Sequence, residues 1–220
     1  MPIRWFALAL LSLTLLALPA LAQEEDLRAA PDALDYGLIE TADAEGVFES
    51  IPDGQVSVRH TRSGLVCRFD REANGRLILF PGLPRGEDVG CDFPDGPATI
   101  TLYATRYPAP TTIAEQVQAA AAHIRLRFRD ARIETPEIGM EMSIDGAAPL
   151  PESRTERFIV TFPDGRRLYT RVSVALIEGW VIKMRFSQDA PDEAAATAAE
   201  MASGLQWMAT LQDFAARGGI

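Results

Sequence analysis

Residues Thr155–Ser187, TERFIVTFPDGRRLYTRVSVALIEGWVIKMRFS, read as a three-stranded antiparallel meander with two tight turns. The apolar residues fall on one parity: Phe158, Val160 and Phe162, then Leu168, Val172, Val174 and Leu176, then Trp180, Ile182, Met184 and Phe186. Successive strand side chains point to opposite faces, so all of these can share one buried face. The turns decide whether they do. A two-residue Glu178-Gly179 loop sets Ile177 opposite Trp180 and splits the apolar set across two faces. A three-residue loop, Ile177-Glu178-Gly179, sets Leu176 opposite Trp180 and Val174 opposite Ile182, and keeps the parity. Pro163-Asp164-Gly165 does the same for Phe162 and Arg166. Gly takes the third place in each loop, where a type I turn with a bulge wants a left-handed residue. Three-residue loops at both turns are therefore expected.

Outward from the meander, Thr99 to Thr105 is a strand with Ile100, Leu102 and Ala104 on one parity. After Pro108-Ala109-Pro110, Thr112 and Glu115 form a capping box. Ile113, Val117, Ala120, Ile124 and Phe128 then recur at helical spacing, giving an amphipathic helix to about Arg129. Met140 to Ile144 reads as a short strand, and Ala147 to Glu152 as a Pro-containing loop. A second helix follows the meander, with Asp189 as N-cap, Pro191 in the first turn, and Met201, Leu205, Met208 and Leu211 on its inner face. It ends at Gly218-Gly219. Two such helices are what the open apolar face of a sheet requires. The expected fold is α+β: an antiparallel sheet (156–187 plus 99–105) covered by two helices, with a disulfide-bridged N-terminal β segment.

Met1 to Ala22 has the pattern of an export signal. Arg4 forms a basic start, Trp5 to Leu18 is apolar apart from two small hydroxyls, and Ala20-Leu21-Ala22 is a small-x-small cleavage site. The apolar stretch is too short to cross a bilayer, which takes roughly 20 residues. Cleavage after Ala22 places the mature chain in the periplasm or outside the cell, with no transmembrane segment. The whole chain carries 21 Lys+Arg against 31 Asp+Glu, a formal charge of −10. Removing 1–22 takes away Arg4 and no acid, leaving 20 against 31, or −11. That balance argues against nucleic acid and anionic lipid as partners. Residues 23–50, rich in acids and Ala, read as a loosely held arm with a short helix around Ala33 to Glu40. Residues 51–217 read as one domain: a β segment over 51–98, then the sheet and two helices over 99–217.

Cys67 and Cys91 are the only cysteines. An even pair in an exported chain favours a disulfide, and no C-x-x-C points to redox chemistry. Leu65 to Phe69 alternates and Leu77 to Phe80 is a buried-looking strand between the pair. The surrounding words, SGLVC at Ser63–Cys67, GEDVGCDF at Gly86–Phe93 and TLY at Thr101–Tyr103, resemble a group of exported proteobacterial proteins of uncharacterised role. That resemblance implies an exported location and a Cys67–Cys91 bridge, and no activity. The order of elements is similar to that of the PsbP-like α/β sandwich, which implies an accessory or binding role by analogy alone.

Any triad or metal site must use His60 or His123, the only histidines. His60 has the parity of Val56 and Val58 and reads as a half-buried strand-end residue beside Thr61, Arg62 and Ser63. No G-x-S-x-G or His-Glu-x-x-His occurs. Glu87, Asp88, Asp92 and Asp95 crowd around Cys91, as four oxygen donors on a loop. They lack the spacing and turn glycine of a calcium loop and read as surface acids before a divalent-ion site. Met140-Glu141-Met142 has thioethers suited to copper(I), yet reads as strand core. Arg125, Arg127, Arg129, Arg132, Arg166 and Arg167 read as a solvated rim. No cofactor is expected. The expectation is a non-enzymatic exported protein acting on a protein partner or small ligand. The alternatives are an exported hydrolase using His60 or His123, and an ion binder using the Glu87–Asp95 acids.

Overall fold

The last turn of the meander does not take the expected register. In the computed structural model, which describes residues 33–72, 74–137 and 149–218, three strands form the meander: β8 (Ser153–Thr161), β9 (Arg167–Ile177) and β10 (Trp180–Asp189). Ile177 pairs with Trp180, Leu176 with Val181 and Ala175 with Ile182, so the loop is the two residues Glu178-Gly179. Both have positive φ, 50° and 80°, as a type I′ hairpin turn requires. The apolar residues are split over two faces. Trp180, Ile182, Met184 and Phe186 join one core with Tyr169 and Ala175, while Val172, Val174 and Val181 join another. Both faces bury apolar residues, and of the meander's apolar set Leu176 alone is exposed among the described residues. The Pro163-Asp164-Gly165 turn is the expected three-residue loop. Phe162 N–H donates to the Arg166 carbonyl at 2.8 Å, and Gly165 holds φ 86°.

The chain before the meander supplies helix α1 (Ala33–Thr41) and strands β1 (Phe48–Ser50), β2 (Val56–His60), β3 (Val66–Phe69), β4 (Arg76–Leu79), β5 (Asp88–Asp95) and β6 (Ala98–Thr105). Helix α2 (Ile113–Arg127) and strand β7 (Arg132–Glu134) follow, and α3 (Glu193–Gly218) closes the described chain. A seven-stranded antiparallel sheet runs β4-β5-β6-β10-β9-β8-β7, and a second sheet runs β1-β2-β3. The segment expected to be an acidic loop around Cys91 is strand β5. Its odd residues Val89, Cys91 and Phe93 are buried, while its acids fall mainly on the even positions. Cys67 on β3 and Cys91 on β5 form the disulfide, with Cα atoms 6.2 Å apart, which ties the two sheets together.

The two helices cover opposite faces of the large sheet rather than one. Helix α2 lays Val117, Ala121 and Ile124 on Phe158, Val160, Val172 and Val174, over β8 and β9. Its N-terminus carries the expected capping box: Thr112 Oγ1 accepts from Glu115 N–H, and the Glu115 carboxylate accepts from Thr112 N–H. That pairing draws the Glu115 carboxyl below its ordinary value. Helix α3 packs on the other face beside β9 and β10. Its cap is Asp192, which accepts from Ala195 N–H at 2.8 Å; Asp189 is instead the last residue of β10. Its inner face runs through Ala196, Ala199, Glu200, Ser203, Trp207, Leu211 and Phe214, and Met201 and Leu205 are exposed.

Residues 33–50 are not a loose arm. Asp35 of α1 is fully buried and accepts from Ser57 N–H and Ser50 Oγ, while Ile39, Ala44, Val47 and Phe48 lie in the core. A buried carboxylate holding a strand's backbone fixes α1 against β1 and β2. The expected signal 1–22, the 23–32 part of the arm, the strand Met140–Ile144 and the Met140-Glu141-Met142 pair lie outside the described residues. Among the described residues no helix is long and apolar enough to cross a membrane.

Candidate functional site

On the α2 side of the large sheet, the two halves differ in chemistry. Directly opposite residues in paired strands share a face, so the pairing gives the rows of this surface. One row reads Ile78, Gly90, Tyr103, Lys183, Val174; the next reads Arg76, Asp92, Thr101, Arg185, Val172. The valines end these rows under α2. Beyond them, β10, β6, β5 and β4 present polar and cationic side chains that no helix among the described residues packs over as α2 does over β8 and β9. Helix α2 stops at the boundary, its last turn and C-cap supplying Arg127 and Phe128. The β8–β9 turn supplies Phe162 and Arg166, and the start of β9 Leu168, from the other side.

These walls enclose a groove of about 690 Å³, which adjoins a second cavity of about 380 Å³ beside His123, Tyr107 and Lys183. The two share Phe80, Tyr103 and Arg185 in their linings. Cavities of this size accept metabolite-sized ligands. Their charged lining is five cations (Arg76, Arg127, Arg166, Arg185, Lys183) against three carboxylates (Asp88, Asp92, Asp189), in a chain whose net charge is −10.

The carboxylates are already engaged. Asp92 takes Arg76 at 2.9 Å and the Thr101 hydroxyl at 2.9 Å; Asp88 takes the Thr105 hydroxyl at 2.7 Å; Asp189 faces Arg166 at 3.8 Å. Arg185 and Lys183 form no ion pair among the described residues. Both are half-buried on the sheet floor. Burial, and after it the Arg127 charge, holds the Arg185 guanidinium below its ordinary value. Burial likewise lowers the Lys183 ammonium, with Asp88 opposing, and its Nζ lies 5.1 Å from the Tyr103 ring centre. Two partly desolvated cations beside a third suit an incoming anion, which would gain charge-assisted hydrogen bonds with little competition from water.

The histidines do not converge on this chemistry. His60 is fully buried rather than half-buried, wedged between Phe48 (5.4 Å) and Trp180 (5.2 Å). Its Nδ1 accepts from Ser63 N–H at 3.2 Å, which fixes the Nε2–H tautomer, so the Ser63 hydroxyl donates to the same nitrogen at 2.8 Å. The Ser63 oxygen also accepts from Leu65 N–H. A serine and histidine are thus in contact, three residues apart across a turn. Neither lines the groove, and the Arg217 guanidinium lies over Gly64, donating to the Ser63 carbonyl. A nucleophile needs a place about 3 Å away for the reacting atom, and this hydroxyl faces packed protein. Burial is the first cause of the His60 pKa falling to about 4, with Arg62 adding to it and the Gly86 backbone and Glu87 opposing. His123 is exposed at the smaller cavity and forms no hydrogen bond or ion pair among the described residues.

The four acids are dispersed. Glu87 pairs with Arg62 at 2.5 Å, Asp88 and Asp92 bind the threonines above, and Asp95 sits exposed at the strand end. Among the described residues no three His, Cys, Asp or Glu side chains converge as metal ligands. The arginine set divides too. Arg125 lies over Phe158, Arg129 and Arg132 pair with neighbouring acids, and Arg167 reaches the Pro191 carbonyl; only Arg127 and Arg166 enter the groove.

Lys183 and Arg185 carry the site and were not among the residues singled out from sequence. A signal was present. They sit two apart on a strand whose other parity is apolar from Trp180 to Phe186, so their two charges share the opposite face. A scan against protein-family models finds no match for this chain, and a search of the curated proteins likewise finds none.

Proposed function

We propose that this chain is an exported, non-enzymatic binding protein whose sheet groove holds an anionic small molecule. Arg185 carries the reading: it is half-buried on the groove floor beside Arg127 and Lys183, with no carboxylate partner among the described residues. Protein interiors rarely hold an unpaired cation unless something pairs with it in use. Export is supported by the signal-like residues 1–22 and by the buried disulfide, which belongs to oxidising compartments. The resemblance to exported proteobacterial proteins and to the PsbP-like element order is consistent with a binding role.

Titration of ¹⁵N-labelled protein with inorganic phosphate and with acetate tests this. Saturable shifts at Lys183–Ser187, Thr99–Tyr103 and Arg127–Phe128 are expected, weakening with salt and at least tenfold weaker in Arg185→Gln. Absence of saturable shifts in these segments with both anions would reject the reading.

A further inference from the structure

We infer that the groove selects an acid with a planar aromatic body, an aryl carboxylate rather than a bare or aliphatic anion. This rests on the anion-binding reading and adds the chemistry of the uncharged part. The cations are flanked by two aromatic pairs. On one side the Phe80 and Tyr103 rings stack at 5.9 Å with an interplanar angle of 26°. On the other, Phe128 and Phe162 meet edge to face at 5.8 Å and 85°. All four rings are half-buried and all line the groove, with Arg185 also in its lining.

The backbone beneath the Phe80–Tyr103 pair has no room for a side chain. Gly90 stands between Ile78 and Tyr103 in its row, directly under the rings. A Cβ there would come 3.4 Å from Phe80 Cε2 and 3.5 Å from Tyr103 Cδ1, and 2.7 Å from the Leu102 carbonyl oxygen. The ring distances are ordinary contacts and the carbonyl distance is not, so the β6 backbone requires the glycine, and the two rings lie over bare strand. A flat ring can pack against such a surface while its carboxylate reaches Arg185, whereas a bare anion meets the cations alone and a saturated ring is too thick to stack. The net negative charge of the chain disfavours the stacked bases of a nucleic acid as the occupant.

Isothermal titration of the whole protein with 1-naphthoate, cyclohexanecarboxylate, acetate and neutral 1-naphthamide tests the inference. Naphthoate is expected to bind at least tenfold tighter than cyclohexanecarboxylate and than naphthamide. Phe80→Leu and Phe162→Leu should each weaken naphthoate severalfold more than they weaken acetate. Equal affinity for naphthoate and cyclohexanecarboxylate would overturn the aromatic selection and leave the anion reading standing. Naphthamide binding as well as naphthoate, or no binding by any of the acids, would overturn both. The ligand series in the unmodified protein decides the matter even if a leucine variant misfolds.

Discussion

Replacing Glu200 by Gln should destabilise the fold by about 3–5 kcal/mol. Glu200 lies on α3 against the large sheet, its side chain 1% exposed. One carboxylate oxygen takes Arg157 Nε at 2.8 Å and lies 3.5 Å from Arg171 Nη1; the other accepts from the Tyr169 hydroxyl. Arg157 is 23% exposed and can rehydrate once its partner is gone, but Arg171 is 6% exposed and cannot. Burial already pulls the Arg171 guanidinium below its ordinary value, with Glu200 the leading opposing charge. Glutamine keeps the shape and removes the charge, so the loss is that of leaving one buried cation uncompensated. For a chain of this length that is a fall in Tm of roughly 6–20 °C. Urea unfolding should show a lower midpoint with an unchanged slope. Pairing Glu200→Leu with Arg171→Met should recover much of the loss, because an apolar replacement of a buried ion pair is often neutral. A Glu200→Gln variant within about 0.5 kcal/mol of the parent, the scale of an ordinary surface change, would refute the reasoning.

Three further outcomes are expected. Reducing the Cys67–Cys91 bridge, which spans a sequence separation of 24, should cost on the order of 3 kcal/mol, and a thiol assay on the unfolded, unreduced protein should find nothing; a bridge-free variant of equal stability would contradict this. Glu178→Asn should stabilise by about 0.5–1 kcal/mol, because Glu178 holds φ 50° in a turn that favours Asn-Gly; a neutral or lower midpoint would count against the two-residue loop. His60 has a folded pKa of about 4 against 6.5 unfolded, so between these values the unfolded chain binds a proton that the folded one refuses. The stability this contributes is present above pH 6.5 and falls away as pH drops toward 4, by on the order of 3 kcal/mol. A His60 ring signal titrating near 6.5 in folded protein would exclude it.

The α+β class, the Pro163-Asp164-Gly165 turn, the α2 capping box and the disulfide were legible because each rests on local chemistry. The register of β9 and β10 was not. Gly179 alone fits either loop, and what separates them is whether one face of the sheet is buried or two, a tertiary fact. Strand β5 was hidden because its acids, read in sequence, resemble a loop; they face Thr101, Thr105 and Arg76 across strands that only the fold brings together. The same slip concealed the groove. With β10 a residue out of register, Lys183 and Arg185 fall on an outer face, whereas the true pairing sets them beside Tyr103 and Thr101 at the edge of α2.

The most direct measurement follows the Arg185 side-chain Nε–H resonance by ¹⁵N NMR as 1-naphthoate is added. That signal should shift saturably and its exchange with water should slow, as a bound carboxylate pairs with the guanidinium, while exposed Arg129 stays unchanged. An unmoved Arg185 signal at naphthoate concentrations that saturate binding elsewhere would contradict an anion site in this groove.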